Sequence, residues 1–470
     1  MLGPLLWSLL NAAATVFIPF GLFVVFARTA EAWQVGAVAV AISLAEILKA
    51  LCPQGLYELL LRRADPGQDR AAFGLLLVSG GAAAAVYAGL LLLVSHHRPD
   101  FAEILPALLV LTPKLFFDLA TVLPQAVVTR QRALRRLAMR TLTANAVAAV
   151  SGSALAVAGH ALAGLVLYYL LQSLCGFLLL VRAGGAELER PSFRFGPLAH
   201  LAPEATYASM VRLVGTANSY ADTLVVASFL SPALVGAYNL GKRIETILIT
   251  ASASFSSMLY QPAFAQGDLA ERTRMTETSI RLTTLIFGLP VMLFVAFDAV
   301  LIRWAFGPRW VEAAPAAAIL AVSGLCRIYG SIHGSLLAVR NRNRALLAYA
   351  LASVSIGLGA VAALSGYGLV WIAAGVAIKN AVFCGIAVTL TRHDSATSAM
   401  VYLRHVILPL GLGLGSAVAT QRLCATLLAG HSQTEMLQVL ACSVVVGGGA
   451  ALLYARDITR VLRRVRRRGA

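Results

Sequence analysis

Fourteen apolar runs, each long enough to cross a bilayer, follow one another along the 470 residues of this chain. Roughly 20 consecutive apolar residues form one membrane-spanning helix. The sequence therefore predicts an all-α, polytopic membrane protein with about 14 transmembrane helices. The predicted spans cover residues 4–27, 34–56, 71–94, 104–128, 139–159, 161–181, 205–229, 235–262, 282–304, 314–338, 345–364, 369–390, 403–428 and 435–455.

The composition excludes a soluble protein. Hydrophobic residues make up 59% of the chain and charged residues only 13%, whereas soluble domains have about 45–50% and about 25%. The formal net charge of +17 would suggest nucleic acid in a soluble protein, but here the charge is concentrated in loops, so no nucleic-acid partner is predicted. The six cysteines lie in apolar stretches without metal-type spacing, and we predict neither a metal site nor a cofactor.

The basic loop residues are distributed unequally between the two sides of the membrane. Alternate loops and the C-terminal segment carry 26 arginines, and the opposite loops carry five. Since basic residues accumulate on the cytoplasmic side, both termini are predicted to be cytoplasmic. The arginine run from Arg463 to Arg468 fits a positive stop after the last helix, with anionic lipid or nucleic acid as the less favoured interpretation.

Short motifs recur after about 200 residues in the same order. Val35-Gly36-Ala37 and Glu46 recur as Val235-Gly236-Ala237 and Glu245, and Cys175-Gly176 recurs as Cys384-Gly385. An offset of six spans preserves orientation, so two parallel six-helix lobes are predicted. The predicted organisation is an N-terminal lobe at 1–182, a cytoplasmic linker at 183–204, a C-terminal lobe at 205–392, and helices 13 and 14 with a basic cytoplasmic tail at 393–470.

All four lysines of the chain fall inside predicted spans, where each charge costs about 2.5–3.5 kcal/mol unless it is paired or hydrated. Two pairs, Glu46 with Lys49 and Lys114 with Asp118, have the spacing to neutralise each other on their own helices. The others outnumber their acidic neighbours, which predicts a cavity that binds an anion. The candidate binding cations are Lys49, Lys114, Arg212, Lys242, Arg243, Arg327 and Lys379, and the candidate ion-coupling acids are Asp118, Asp222 and Glu245.

Polar residues form one stripe along the eighth predicted span. Their spacing of three and four residues places them on one helix face, and they are Asn239, Arg243, Thr246, Thr250, Ser254, Ser257 and Gln261. The stripe favours a water-lined cavity, with Asn239, Thr246 and Thr250 as candidate substrate contacts; the alternative is hydrogen bonding between helices. His333, alone in its span, is predicted to be packed rather than catalytic.

Several short motifs resemble one membrane-protein family. They are Gly236-Ala237-Tyr238, Pro262-Ala263-Phe264, Phe306-Gly307-Pro308-Arg309-Trp310 with Tyr329, Pro124 with Arg130-Gln131-Arg132, and Gly366-Tyr367-Gly368-Leu369. They resemble the polysaccharide transporters (Wzx-like oligosaccharide flippases) of the multidrug/oligosaccharidyl-lipid/polysaccharide exporter superfamily. The resemblance implies a flippase for polyprenyl-pyrophosphate-linked oligosaccharide in the bacterial inner membrane, serving O-antigen, capsule or exopolysaccharide assembly. It also implies a polysaccharide polymerase and a chain-length regulator as candidate partners.

Three other functions compete with this interpretation. A lipid II flippase shares the spans and the cationic cavity, whereas a multidrug/cation antiporter needs an acidic cavity. A membrane polysaccharide polymerase or glycosyltransferase, from another class, needs a long external loop that this sequence lacks. The sequence shows no nucleotide-binding loop and no pair of histidine ligands. We therefore predict that the chain is not an enzyme and has no catalytic residues.

Overall fold

A computed structural model describes residues 2–62, 65–97, 103–185, 188, 190–259, 264, 268–340, 342–395, 397 and 399–427. Within these residues the regular elements are all helical. The fourteenth predicted span and the basic tail lie outside the described residues, as do Gln261 and the side chains of Ser254 and Ser257.

The contacts between Cα atoms divide the chain into two compact units, residues 1–239 and 240–470. The helices that begin in the first unit are α1 (Leu2–Thr29), α2 (Ala32–Leu51), α3 (Leu56–Arg62), α4 (Pro66–His97), α5 (Leu105–Leu109), α6 (Thr112–Ala120), α7 (Val122–Arg130), α8 (Leu134–Val157), α9 (Ala161–Gly184), α10 (Ala202–Phe229) and α11 (Pro232–Leu259). Those of the second unit are α12 (Leu269–Thr283), α13 (Leu289–Ala296), α14 (Asp298–Phe306), α15 (Ala314–Val339), α16 (Asn343–Leu364), α17 (Leu369–Thr391), α18 (Ala399–Tyr402) and α19 (Leu408–Leu427).

Nine helical segments of the described residues are long and apolar enough to cross a bilayer. They are Ala32–Leu51, Pro66–His97, Leu105–Arg130, Ala161–Gly184, Leu269–Ala296, Pro308–Val339, Arg344–Tyr367, Leu369–Thr391 and Ala399–Thr420. Helices α8, α10 and α11 are also longer than 20 residues but carry more polar side chains. The multi-span character is confirmed, while the number of fourteen and the orientation stay predictions.

Within the first unit, α8 packs against α1 and α9, α4 packs against α6, and α2 packs against α10. Helix α10 also contacts α3. The predicted lobe boundaries at 182 and 205 stay predictions. Within the second unit, α17 packs between α15 and α16, and α13 packs against α19.

The two copies of the Val-Gly-Ala motif lie against each other. A Cβ atom at Gly36 would collide with the backbone of Pro232 and Gly236, and a Cβ atom at Gly236 would collide with the backbone of Ala32 and Gly36. Only glycine permits helices to approach this closely. The tripeptides that indicated a duplication are therefore also the contact between α2 and the first turns of α11.

Interruptions of the helices fall near the polar cavity described below or at buried polar groups. The single predicted span at 34–56 is two helices, because Pro53 removes a backbone donor just after α2 ends. Two π-helical turns, Thr284–Gly288 and Leu403–Ile407, interrupt the second unit. Such turns are rare and occur frequently at functional sites.

Candidate functional site

A polar cavity of about 500 Å³ lies inside the first unit. Apart from Val122 and Ala144, every residue that lines it has a polar or charged side chain. The polar residues are Asn11, Thr15, Glu46, Lys49, Gln54, Tyr57, Lys114, Asp118, Thr121, Gln125, Arg140, Thr141, Asn145, Gln172, Ser173 and Arg212. So many polar groups within a membrane protein are typical of a water-filled substrate pathway.

Four charged side chains on α2 and α6 form a closed ring, called the charge ring below. Lys114 Nζ lies 2.9 Å from Glu46 Oε1 and 2.6 Å from Asp118 Oδ2. Lys49 Nζ lies 2.5 Å from Glu46 Oε2 and 3.1 Å from Asp118 Oδ2. Both pairs anticipated along a single helix are present, and each carboxylate also bridges to the other helix. Two positive and two negative charges make the ring neutral, as burial in a membrane requires.

Arg140 contributes a further positive charge to the wall of the cavity. Its Nε donates a long hydrogen bond, 3.5 Å, to the carbonyl oxygen of Gly176 on α9. A Cβ atom at position 176 would lie 2.7 Å from Arg140 Nη2, so the glycine leaves room for the guanidinium. Arg140 was not among the predicted cavity cations; α8 begins six residues before it and carries it to the cavity. The pairing of Gly176 with a basic residue had no signal in the sequence.

Arg212, a predicted cavity cation, also lines the cavity. Its Nη2 lies 2.8 Å from Glu58 Oε1, and its guanidinium lies over the ring of Tyr57 at 5.4 Å. This pair is more than one-third exposed, so a competing anion can reach the guanidinium at little cost.

Amide side chains supply neutral donors and acceptors on the opposite wall. Gln172 Nε2 donates to Asn145 Oδ1 at 2.7 Å, and Asn145 Nδ2 donates to the carbonyl oxygen of Ala14 at 3.1 Å. Amide and hydroxyl groups of this kind match the hydroxyls of sugars. The sequence analysis missed Asn145 and Gln172, although both are polar residues inside predicted spans.

The second unit has its own buried charge cluster around Glu245 on α11. The carboxylate is completely buried and lies 3.0 Å from Lys242 Nζ and 3.4 Å from Arg327 Nη1. Ser323 donates to it at 3.4 Å, and Asn380 donates to Ser323 at 2.7 Å. These five residues are called the Glu245 cluster.

The Glu245 cluster carries more positive than negative charge. Lys379 on α17, which is 8% exposed, acts electrostatically on the same carboxylate. One carboxylate thus faces three cations: Lys242, Arg327 and Lys379. Glu46 and Glu245 are equivalent under the predicted duplication, and each unit places one of these glutamates with a lysine three residues away. The first unit adds Lys114 and Asp118, and the second adds Arg327 and Lys379.

The remaining predicted residues lie on α10 and α11. Asp222 is a structural acceptor for Tyr238 Oη at 2.8 Å and for the backbone N–H of Thr223 at 2.8 Å. The hydroxyl of Thr246 donates to the carbonyl oxygen of Lys242. Asn239, Arg243 and Thr250 are partly buried on α11. Their predicted contact with cargo stays a prediction.

His333 is packed, as predicted. It is completely buried and bonded through Nδ1 to Thr391 Oγ1 at 2.6 Å and through Nε2 to Tyr402 Oη at 2.7 Å. Since Thr391 donates to the carbonyl oxygen of Ala387, it accepts from the imidazole, and the tyrosine then donates to Nε2. The histidine therefore joins α15 to α17 and α18 as a neutral group.

The family can be assigned by comparison with known proteins. The sequence profile described as polysaccharide biosynthesis protein matches residues 25–315. The chain belongs to this family. The chain is also a multi-pass membrane protein. The profile match confirms the polysaccharide family that the short motifs resemble.

Two curated relatives share about a quarter of their aligned residues with this chain. The lipopolysaccharide biosynthesis protein WzxC of Escherichia coli (strain K12) is 26% identical over 34% of this chain. The teichuronic acid biosynthesis protein TuaB of Bacillus subtilis (strain 168) is 27% identical over 28% of this chain. These matches span 33% and 28% of the relatives' own lengths.

Solved structures share the fold over most of the chain. The lipid II flippase MurJ in an inward closed conformation has a TM-score of 0.73 and 12% identity, and the match covers 96% of this chain and 100% of MurJ. A transporter of the same superfamily from Pyrococcus furiosus has a TM-score of 0.61 and 12% identity, with 83% and 93% covered. At these identities the likeness shows the fold alone.

Proposed function

We propose that this protein is a flippase that moves polyprenyl-pyrophosphate-linked oligosaccharide across the bacterial inner membrane by alternating access. The observation that carries the proposal is the polar cavity with its excess of positive charge, in a membrane protein of a polysaccharide biosynthesis family. Arginine and lysine bind pyrophosphate by charge-assisted hydrogen bonds, and the amides of Asn145 and Gln172 suit sugar hydroxyls. The Glu245 cluster gives the second unit its own group of cations.

The membrane potential supplies a driving force for this direction of transport. A lipid-linked pyrophosphate carries about two negative charges. Moving them outward, down an inside-negative potential of about 100 mV, releases roughly 4.6 kcal/mol. Coupling to protons or sodium through Asp118, Asp222 or Glu245 would add to this force, although all three already accept bonds from neighbouring groups.

Deletion of the gene tests the proposal directly. We expect surface polysaccharide to be lost and polyprenyl-linked repeat units to accumulate on the cytoplasmic face. Unaltered polysaccharide together with new drug sensitivity would contradict the proposal and favour a drug antiporter. Arrest of peptidoglycan synthesis with accumulation of lipid II would favour the alternative function, a lipid II flippase. The fold of this chain is shared with the lipid II flippase MurJ.

Substitutions of two neighbouring cations on α11, Lys242 and Arg243, test which cations contact cargo. Lys242→Met and Arg243→Gln are expected to abolish complementation of the deletion, and Lys242→Arg to retain it. Arg344→Gln, at an exposed position near the start of α16, is the control. Complementation by Lys242→Met and Arg243→Gln at normal protein abundance would remove these residues from the site.

The assembly of repeat units into polymer requires further proteins. We infer that a polysaccharide polymerase and a chain-length regulator act after this flippase. Cross-linking in membranes followed by mass spectrometry of captured proteins tests this inference. Recovery of unrelated membrane proteins alone would contradict it.

A further inference from the structure

A second pocket of the first unit has the opposite chemistry from the polar cavity. It has a volume of about 330 Å³, and Thr206 and Ser209 supply its only hydroxyl side chains. Leu56 and Leu198 form a buried floor, whereas Met210 is 54% exposed at the rim. The remaining lining residues are alanine, leucine and Pro53. This apolar pocket therefore suits a hydrocarbon chain.

The polar cavity and the apolar pocket share a wall. The segment that links α2 to α3, together with the first turn of α3, presents Gln54 and Tyr57 to the polar cavity and Pro53 and Leu56 to the apolar pocket. Because both cavities are built on these few residues, a charged headgroup in one and an apolar tail in the other would lie next to each other.

Helix α10 also lines the polar cavity with one face and the apolar pocket with another, and it holds the wall in place. Arg212 lines the polar cavity, while Met210 and Leu213 line the apolar pocket. The backbone N–H of Gly55 donates to Ser209 Oγ at 2.9 Å, and a Cβ atom at position 55 would overlap the backbone of α10. The wall between the two cavities is therefore held in place by α10 and is not a flexible loop.

We propose that the apolar pocket binds the isoprenoid segment next to the pyrophosphate of the lipid-linked cargo while the headgroup enters the polar cavity. This inference rests on the proposed function and assigns the tail a protein site. The pocket is at the lower end of the ~300–1,000 Å³ range of small-molecule sites, so it takes a short stretch of the chain. The rest of the tail stays in the bilayer.

The position of the pocket fits loading from the cytoplasmic leaflet. Leu56 begins α3, which ends at Arg62, and Leu198 lies in a short turn just after Arg194. Both arginines belong to the loops predicted to be cytoplasmic. Lipid-linked oligosaccharide is presented on that side before transport.

The tail gains little free energy by leaving lipid, because bilayer chains are as apolar as the pocket. Its occupancy therefore fixes the position of the pyrophosphate more than it adds affinity. Packing against the shape of the pocket is also what distinguishes a methyl-branched isoprenoid from a straight acyl chain.

A cross-linking experiment tests the proposal on the full chain in nanodiscs of phosphatidylethanolamine and phosphatidylglycerol. The probe is undecaprenyl pyrophosphate with a diazirine in the isoprene units next to the headgroup. We expect cross-links to Thr206, Met210 or Leu213 that unlabelled undecaprenyl pyrophosphate suppresses. Thr206→Trp fills the pocket from its exposed rim and is expected to reduce cross-linking about tenfold. Val211→Trp, on an exposed neighbouring position outside the pocket, is the control and should retain it.

Three outcomes would overturn the proposal, and they differ in what else they overturn. Equal cross-linking in Thr206→Trp and wild type refutes the tail site alone if the probe still binds through the cavity cations. Equal competition by phosphatidylglycerol reduces the pocket to a general lipid contact. Absence of any competed binding of the probe to wild-type protein refutes the tail site together with the proposed function.

Discussion

Replacing Asp118 with asparagine removes one of the two negative charges of the charge ring. In the native protein Asp118 Oδ2 lies 2.6 Å from Lys114 Nζ and 3.1 Å from Lys49 Nζ. After the change both lysines face Glu46 alone, and one positive charge is left uncompensated. Asparagine has nearly the same shape as aspartate, so the change tests charge rather than packing.

Two independent magnitudes set the expected cost. An unpaired charge at mid-bilayer costs about 2.5–3.5 kcal/mol, and removal of one partner from a buried ion pair costs about 3–5 kcal/mol. The amide oxygen of asparagine still accepts a hydrogen bond from Lys114, which returns about 1 kcal/mol. We therefore expect Asp118→Asn to lower the free energy of unfolding by about 3 kcal/mol.

The double variant Lys114→Met/Asp118→Asn restores neutrality and leaves the Glu46–Lys49 pair in place. It is expected to be less destabilised than the sum of the two single variants by about 1.5 kcal/mol or more. The free energy of unfolding is measured by titrating the purified protein in mixed micelles with sodium dodecyl sulfate and following tryptophan fluorescence. Glu277→Gln is the matched acid-to-amide control, because its carboxylate lies 4.0 Å from Arg281 Nη2 and is about one-third exposed.

The result that would refute the reasoning is a cost for Asp118→Asn no larger than that for Glu277→Gln, which is expected to be below about 1 kcal/mol. Full additivity of the two single substitutions would also refute it, since it would mean that Lys114 and Asp118 do not interact.

Two glycine substitutions test close contacts, each with a control glycine beside which a Cβ atom would meet nothing within 4 Å. Gly176→Ala is expected to displace the guanidinium of Arg140 and to reduce surface polysaccharide about tenfold at normal protein abundance, since a charge-assisted hydrogen bond is worth about 1.5–3 kcal/mol. The control, Gly385→Ala at the equivalent position of the predicted repeat, should have no effect. Equal activity of the two variants would contradict the role of Arg140. Gly36→Ala is expected to lower the free energy of unfolding by about 1–3 kcal/mol through overpacking. The control, Gly21→Ala, should leave the free energy of unfolding unchanged. Equal stability of the two variants would argue against the tight crossing of α2 and α11.

The sequence predicted two of the ion pairs that depend on spacing along one helix. Glu46 with Lys49 and Lys114 with Asp118 lie three and four residues apart, and both pairs form. The pair of Lys242 and Glu245 has the same kind of spacing but was not predicted. The bonds between helices were out of reach, because the contact of Lys114 with Glu46 depends on which helices pack together and on how each is rotated. No periodicity within one helix contains that information.

The prediction of the site failed where a helix extends beyond its apolar run. Arg140 precedes the most apolar part of its span and was not predicted as a cavity cation, although α8 begins at Leu134 and carries it into the cavity. Similarly, the apolar run at 34–56 conceals a break, since Cys52 and Pro53 are apolar and keep the hydropathy high. Hydropathy reports burial in the membrane, but it does not report where the backbone hydrogen bonds stop.

The glycine contact between α2 and α11 has a reciprocal pattern: Gly36 meets Pro232 and Gly236, and Gly236 meets Ala32 and Gly36. Under the predicted duplication, Gly36 corresponds to Gly236 and Ala32 to Pro232, so each glycine contacts the equivalent residues of the other helix. Identical surfaces meet in the same way in a symmetric homodimer. A half-length ancestor carrying one Val-Gly-Ala motif would have formed this contact with a second copy of itself. In such an ancestor a single mutation of the glycine would have altered both sides of the contact at once, whereas in a fused chain each side can change alone. In this chain both positions are glycine, as the close approach of α2 and α11 requires on each side.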